Sequence, residues 1–318
     1  MTVLVIGGAG YIGSHTCKAL RQKGYVPIIY DNLQNGHKWA AGSSPLVVGD
    51  LLDPVLLDQT FKTYKPLAVL HFASSIDCRA SMNQPAHYYR NNVVGSLNLL
   101  DTMQKNGVLK LVFSSTAAVY GFPESETIAE SHPCKPVNVY GNTKWMVEQM
   151  IHDFEKAYGL NGVILRYFNA AGADPDGELG EAHHPETHLI PLALQTALEK
   201  QTHLNVFGDG SAIRDYIHVS DLASAHVKAL QWLLSNKGPM TFNLGTGKGY
   251  SLNEVLEMIE KVTQKPIKRV LQPKNPNEPF KLIADSTEAQ KTLEWTPTLS
   301  DLETIVSTAY RWHKRQSL

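Results

Sequence analysis

A doubly wound parallel α/β sheet followed by a smaller C-terminal α/β domain is the fold class this sequence predicts, on three observations. Short β-branched runs alternate with helical patterns from the N-terminus to about residue 166. A glycine-rich turn, "GGAGYIG" at 7–13, follows the first of those runs directly. Past Arg166 the alternation gives way to "NAAGADPDGELGEAHHPETHL" (169–189), rich in Gly, Pro, Asp and His, before shorter elements resume. Alternation over such a length needs crossover connections, which set the strands parallel and place helices on both faces.

Strands are predicted at 3–6, 26–30, 46–48, 68–72, 110–114 and 162–166, with helices between them at 12–23, 54–64, 86–105 and 141–158. The 169–189 stretch reads as a long functional loop. Beyond it come a helix at 190–200, a strand at 204–207, a helix near 220–235 and a strand at 241–245. Ser251, three residues before Glu254, has capping-box spacing and opens another helix. A loop at 272–279 and a closing helix at 299–313 complete the chain. The expected division is a Rossmann-type dinucleotide domain over 1–168, with 211–240 returning to it, and a substrate domain formed mainly by 169–318.

Composition narrows the function classes. With 43% hydrophobic and 19% charged residues over 318 positions, the chain can bury a full-sized core. A formal net charge of −1 gives no bulk attraction to nucleic acid or anionic lipid. The first apolar run is too short and glycine-rich for a signal segment, and no run suits a membrane span. Cys17, Cys78 and Cys134 lack paired spacing and read as reduced thiols, so a cytoplasmic location is expected.

The glycine loop is the first chemical motif. Gly7 and Gly10 permit a tight turn and close backbone approach, and Gly13 lets the following helix pack near the strand. A pyrophosphate would sit at that helix N-terminus, where unpaired N–H groups and the dipole favour an anion. Asp31 ends the second strand 18 residues after Gly13. An acid there accepts both ribose hydroxyls and repels a 2′-phosphate, so NAD is the expected cofactor. "GDL" at 49–51 puts Asp50 where an adenine amine would lie.

"VYGNTK" (139–144) holds Tyr140 and Lys144 at i, i+4, on one helix face. The ammonium is expected to lower the phenol pKa and so make Tyr140 a base. "FSSTAAVYG" (113–121) supplies Thr116 at a strand end, followed by Ala117 and Ala118, which transfer no protons.

Together these segments resemble the extended short-chain dehydrogenase/reductase family. "NNVVGSLNLL", "RYFNAAGADPDGELGE", "HLIPL" and "IRDYIHVSDLA" carry the resemblance further, to its UDP-hexose 4-epimerase branch, across almost the whole chain. The resemblance implies that Tyr140 takes the C4 hydroxyl proton while hydride passes to NAD, and that Lys144 anchors the nicotinamide ribose. Thr116 would hydrogen-bond the reacting oxygen. It further implies that Tyr11, Ile12, Asn32, Asn35, Leu51, Phe72, Ala73, Asn92 and Phe168 line the NAD site. Asn169, His188, Leu189, Phe207, Arg214, Asn275 and Glu278 would contact a UDP-sugar, Arg214 as a fork on the diphosphate. A homodimer is implied as well. The other functions the sequence leaves open are an epimerase of another UDP-sugar, a 4,6-dehydratase, and a non-catalytic NAD-binding sensor. Metal is not expected, because His183, His184 and His188 lack the spacing of a tetrahedral site.

The resemblance breaks in three places. The family's Arg-Arg pair and Gly-Asp before its last domain strand are replaced by "PKNPNEPFKLIAD" (273–285). "SSIDCRAS" (74–81) stands where the family carries small residues and Gly-Glu-Ser, with Arg79 either a replacement cation or an exposed side chain. "FGDGSAIRDY" (207–216) lacks the family's short insertion, which predicts a more open pocket lid. Leu282 lies where the family tunes acceptance of N-acetylated sugars.

Overall fold

The computed structural model describes residues 1–235, 237–274 and 278–315. Strands β1 (Thr2–Ile6), β2 (Val26–Asp31), β3 (Leu46–Val48), β4 (Ala68–His71), β5 (Lys110–Thr116) and β6 (Asn161–Tyr167) pair in parallel. Strands β7 (Asn169–Ala171), β8 (Leu204–Phe207) and β9 (Ile213–His218) then lie elsewhere, and the chain returns as β10 (Met240–Leu244). The sheet order is β3-β2-β1-β4-β5-β6-β10, with β10 parallel to β6.

The apolar runs are continuous because both faces of this sheet are covered. Along β1, Val3 and Val5 face one core cluster while Leu4 and Ile6 face another, as the two-residue period of a strand demands. Helix α1 (Tyr11–Gln22) lies on the first face. On the second are α2 (Pro54–Tyr64), α5 (Gly95–Lys105) and α6 (Val139–Tyr158), with the short helices α3 (Cys78–Asn83) and α4 (Pro85–Tyr88) packed against α6. After α7 (Leu189–Ala197), α8 (Val219–Leu234) packs on α1, β5 and β6 and supplies the first cluster with Leu222, Leu230 and Leu233.

A separate core gathers Ile190 and Leu194 of α7, Leu204 and Val206 of β8, Leu256 and Ile259 of α9 (Leu252–Thr263), and Ile305 and Val306 of the last helix. Its frame is β9, flanked by β7, by antiparallel β11 (Gly249–Ser251) and by β13 (Lys281–Leu282); β8 pairs in parallel with β12 (Arg269–Gln272). Helix α10 (Thr287–Thr292) turns back to the main sheet, where Ala289, Leu293 and Trp295 join the first cluster, before α11 (Leu302–Arg315) closes the second core. The capping box at Ser251 and Glu254 is present.

Two expectations are corrected. The single helix over 86–105 is instead α4, a π-helical segment at Tyr89–Val94, and α5. Asn91 and Asn92 sit in that segment and bond the chain at Ser75, which fixes a register that α-helical winding would break. The 169–189 loop starts as strand β7, and it is strapped down: Tyr11 donates its hydroxyl to Gly172 O at 2.6 Å, and Lys18 binds Asp174 and Asp176.

Candidate active site

A single long cleft runs over the C-terminal ends of β1, β2, β4, β5 and β6, where an open parallel sheet reverses its strand order. Its floor is the glycine loop. Gly7 has φ +76°, and a Cβ there would stand 2.5 Å from the backbone nitrogen of Ala73. A Cβ on Gly13 would run into the carbonyl oxygen of Gly7. Gly10 caps α1, whose first turn holds no acid, so its N–H groups are open to an anion. Asp31 accepts from Ala9 N and Leu33 N, both at 2.9 Å; burial raises its carboxyl pKa and those two bonds oppose the rise. Asn32 donates to Asp50 at 2.8 Å. A backbone cradle under a ribose-directed carboxylate fits a dinucleotide.

Gly7, Gly10, Tyr11, Ile12, Gly13, Asp31, Asn32, Asn35, Asp50, Leu51, Phe72, Ala73 and Phe168 all line this cleft. Asn92 does not. It is buried behind the wall, accepting from Ser75 N at 2.8 Å and donating to Thr143 Oγ1 at 3.0 Å, so it braces the wall against α6. Its neighbour Asn91 lines the cleft instead.

Thr116 and Tyr140 meet at the far end. The Thr116 hydroxyl accepts from Ala118 N at 3.1 Å and starts a 3-10 turn over Ala117–Val119. Ala118 O would lie 2.5 Å from a Cβ on Gly141, so the first turn of α6 packs directly on that turn. Asn138 caps α6, and Tyr140 N donates to Ser81 Oγ at 3.2 Å. Tyr140 and Thr116 thereby line the same end of the cleft. The glycine at 141 thus has a positional reason.

The expected coupling of Lys144 to Tyr140 is not what the structure holds. Both share the buried face of α6, but Lys144 donates to Ser114 O at 2.9 Å, below the cleft lining. Burial, with Tyr167 and Cys78 adding to it, pushes the Tyr140 phenol well above its ordinary value, and Thr116 opposes this. Burial likewise brings the Lys144 amine down to about 7, against the pull of Glu148. Beneath them Glu148 binds Ser115 Oγ and the guanidinium of Arg166, whose Nη1 donates to Tyr120 Oη at 2.9 Å.

On the other wall, Asn169, His188 and Leu189 line the cleft, with Asn169 Nδ2 donating to Asp215 O at 3.2 Å. His188 hydrogen-bonds Glu181; His183 lies 3.2 Å from the same carboxylate but off hydrogen-bond alignment. Glu181, His183, Glu186 and His188 hold donor atoms within 4.8 Å of one another, a set able to take a cation. As it stands the set is ion-paired: burial opposes charge on Glu181, but His188 and His183 outweigh it and bring the carboxyl down to about 2.

Phe207, Arg214 and Glu278 fall outside the lining and form a cluster of their own at its rim, with Arg214 Nη2 donating to Glu278 at 2.8 Å. Asn275 lies outside the described residues. Sequence reasoning missed Cys78, Glu181 and Tyr216 as lining residues. Tyr216 follows Arg214 by two along β9, so the strand period would have turned both to one side.

Sheet order, glycine cradle and Tyr-x-x-x-Lys helix define an α/β dinucleotide-binding protein of the extended short-chain dehydrogenase/reductase class. The chain belongs to the NAD dependent epimerase/dehydratase family, whose model matches residues 3–245. It is 48% identical over 320 residues to a UDP-glucose 4-epimerase of Halalkalibacterium halodurans, covering 99% of this chain and 96% of that protein. The crystal structure of the Brucella ovis UDP-glucose 4-epimerase in complex with NAD superposes with TM-score 0.95 at 45% identity, covering 98% of this chain and 97% of that one. The Bifidobacterium longum UDP-glucose 4-epimerase in complex with NAD+ and UDP gives TM-score 0.96 at 35% identity, covering 100% and 99%.

Proposed function

We propose that this chain is an isomerase, an NAD-dependent UDP-hexose 4-epimerase that interconverts UDP-glucose and UDP-galactose through a transient 4-keto sugar. The observation that carries this reading is that Thr116 and Tyr140 line the same cleft as the glycine cradle, with alanines rather than acids at 117 and 118. Elimination of water would need a further acid or base at that point.

Gly7, Gly10 and Gly13 with the N-terminus of α1 would hold the pyrophosphate of NAD, Asp31 its ribose, and Asp50 with Leu51 its adenine end. Bound there, NAD supplies a reversible hydride acceptor for C4. Tyr140 takes the proton from the O4 hydroxyl and returns it after the keto sugar has turned over. Thr116 orients that oxygen. Lys144 donates to Ser114 O beneath the site, and its role would be to anchor the nicotinamide ribose rather than to lower the phenol pKa. Asn169, His188 and Leu189 would shape the sugar side, while Phe207, Arg214 and Glu278 would receive the nucleotide.

A dinucleotide domain over 1–168 with 211–240 returning to it, and a substrate domain mainly over 169–318, is supported by the two separate cores, α8 joining the first and β9 framing the second. A homodimer is supported by exposed Val94, Leu97 and Met146 along the π-helical segment, α5 and α6. Among the described residues no helix is long and apolar enough to cross a membrane, in keeping with a cytoplasmic role.

The test is product analysis with UDP-glucose and no added cofactor: a C4 epimer of unchanged mass is expected, and a product lighter by one water overturns the reading. Tyr140→Phe is expected to abolish turnover with NAD still bound. Retained activity would move the base elsewhere.

A further inference from the structure

We propose that Arg79 is a second guanidinium, beside Arg214, for the diphosphate of the nucleotide-sugar. The inference rests on the UDP-sugar reading above and concerns a residue outside the motifs that support it.

Arg79 lies in the first turn of α3, and Asp77 fixes that turn by accepting from Arg79 N at 2.7 Å and Ala80 N at 3.0 Å. The guanidinium carbon sits 3.8 Å over the ring of Phe207, a cation–π contact. Nη2 lies 3.9 Å from one oxygen of Glu278, whose other oxygen takes Arg214. One carboxylate, Glu278, therefore stands between two guanidiniums.

The two arginines are held differently. Arg214 is 13% exposed and its Nη1 is tied to Ile213 O and Phe280 O. Arg79 is 53% exposed, with a long ion pair and one aromatic face as its restraints. An exposed pair of that length is too weak to make a structural strut. The cluster adjoins the cleft through its chain neighbours, because Cys78, next to Arg79, and Tyr216, two residues after Arg214 on β9, both line it. Arg79 comes from the main-sheet side and Arg214 from β9 of the second core. A diphosphate gripped by both would join the two, and guanidinium matches phosphate oxygens two at a time.

The experiment titrates the NAD-loaded enzyme with UDP and with uridine, comparing wild type, Arg79→Ala and Arg79→Lys, with melting temperature and NAD content checked for each. Arg79→Ala is expected to weaken UDP at least tenfold and to leave uridine unchanged. KM for UDP-glucose should rise with kcat retained, and Arg79→Lys should recover part of the loss. UDP affinity within twofold of wild type overturns the proposal. So does an equal loss for uridine, which would make Arg79 a packing residue for Phe207. A wild-type enzyme that binds NAD but no UDP would instead sink the UDP-sugar reading itself.

Discussion

Lys144→Met should stabilise the fold while destroying activity. The side chain is 2% exposed, and burial brings its amine from 10.5 down to about 7. Below about pH 7 folded and unfolded chains both hold the proton, so the folded state bears the whole cost of a buried ammonium. Between about 7 and 10.5 only the unfolded chain binds it, and stability rises by about 1.4 kcal/mol per pH unit. Above that interval both forms are neutral and the cost is gone. The interval amounts to about 5 kcal/mol, and the lost bond to Ser114 O takes back about 1. Methionine fills a similar volume without charge. Urea unfolding of the NAD-free protein should thus show the variant more stable by about 4 kcal/mol near pH 6, the gap narrowing to nothing by about pH 10. A gap that does not change with pH, or a less stable variant at pH 6, would refute the burial argument.

Two further outcomes follow from the packing around the site. Gly141→Ala puts a methyl 2.5 Å from Ala118 O, so the first turn of α6 must lift and carry Tyr140 away from Thr116. Steady-state kinetics should show kcat reduced by about 100-fold with NAD still bound, as displacements near 1 Å cost; unchanged kcat would mean the turn yields without moving Tyr140. Glu148→Gln strands the Arg166 charge, 6% exposed and held at 2.5 Å by that carboxylate, and should cost about 3–5 kcal/mol in denaturant unfolding. A midpoint unchanged from wild type would show the pair to be replaceable.

The sheet was legible because its signals are local. A β-branched run followed by Gly7, Gly10 and Gly13 is contiguous in sequence, and the cradle is built from it. Tyr140 and Thr116 could be brought together because each sits at a recognisable boundary, a helix start and a strand end. Strand β9 could not be read. It carries a charged pair at Arg214 and Asp215, and Asp215 is tolerated inside only because Thr246 N, Gly247 N and Ala284 N donate to it from far along the chain. The aim of Lys144 was hidden for a similar reason. Helical spacing fixes the face a side chain leaves from, whereas the carbonyl it reaches belongs to β5. Arg79 was visible only as a departure, since its partners Phe207 and Glu278 lie well over a hundred positions away.

The route of the chain between the two cores sets an order of assembly during synthesis. Residues up to Tyr167 carry six of the seven main-sheet strands, so most of that sheet is available early to a growing chain. The second core must wait, because Leu302, Ile305, Val306 and Ala309 of α11, the last element of the fold, close it. A nascent chain can thus build the dinucleotide cradle while its sugar-side wall is still a string of unpaired strands. Ribosome-bound chains stopped before α11 would be the form most exposed to proteases and most dependent on chaperones.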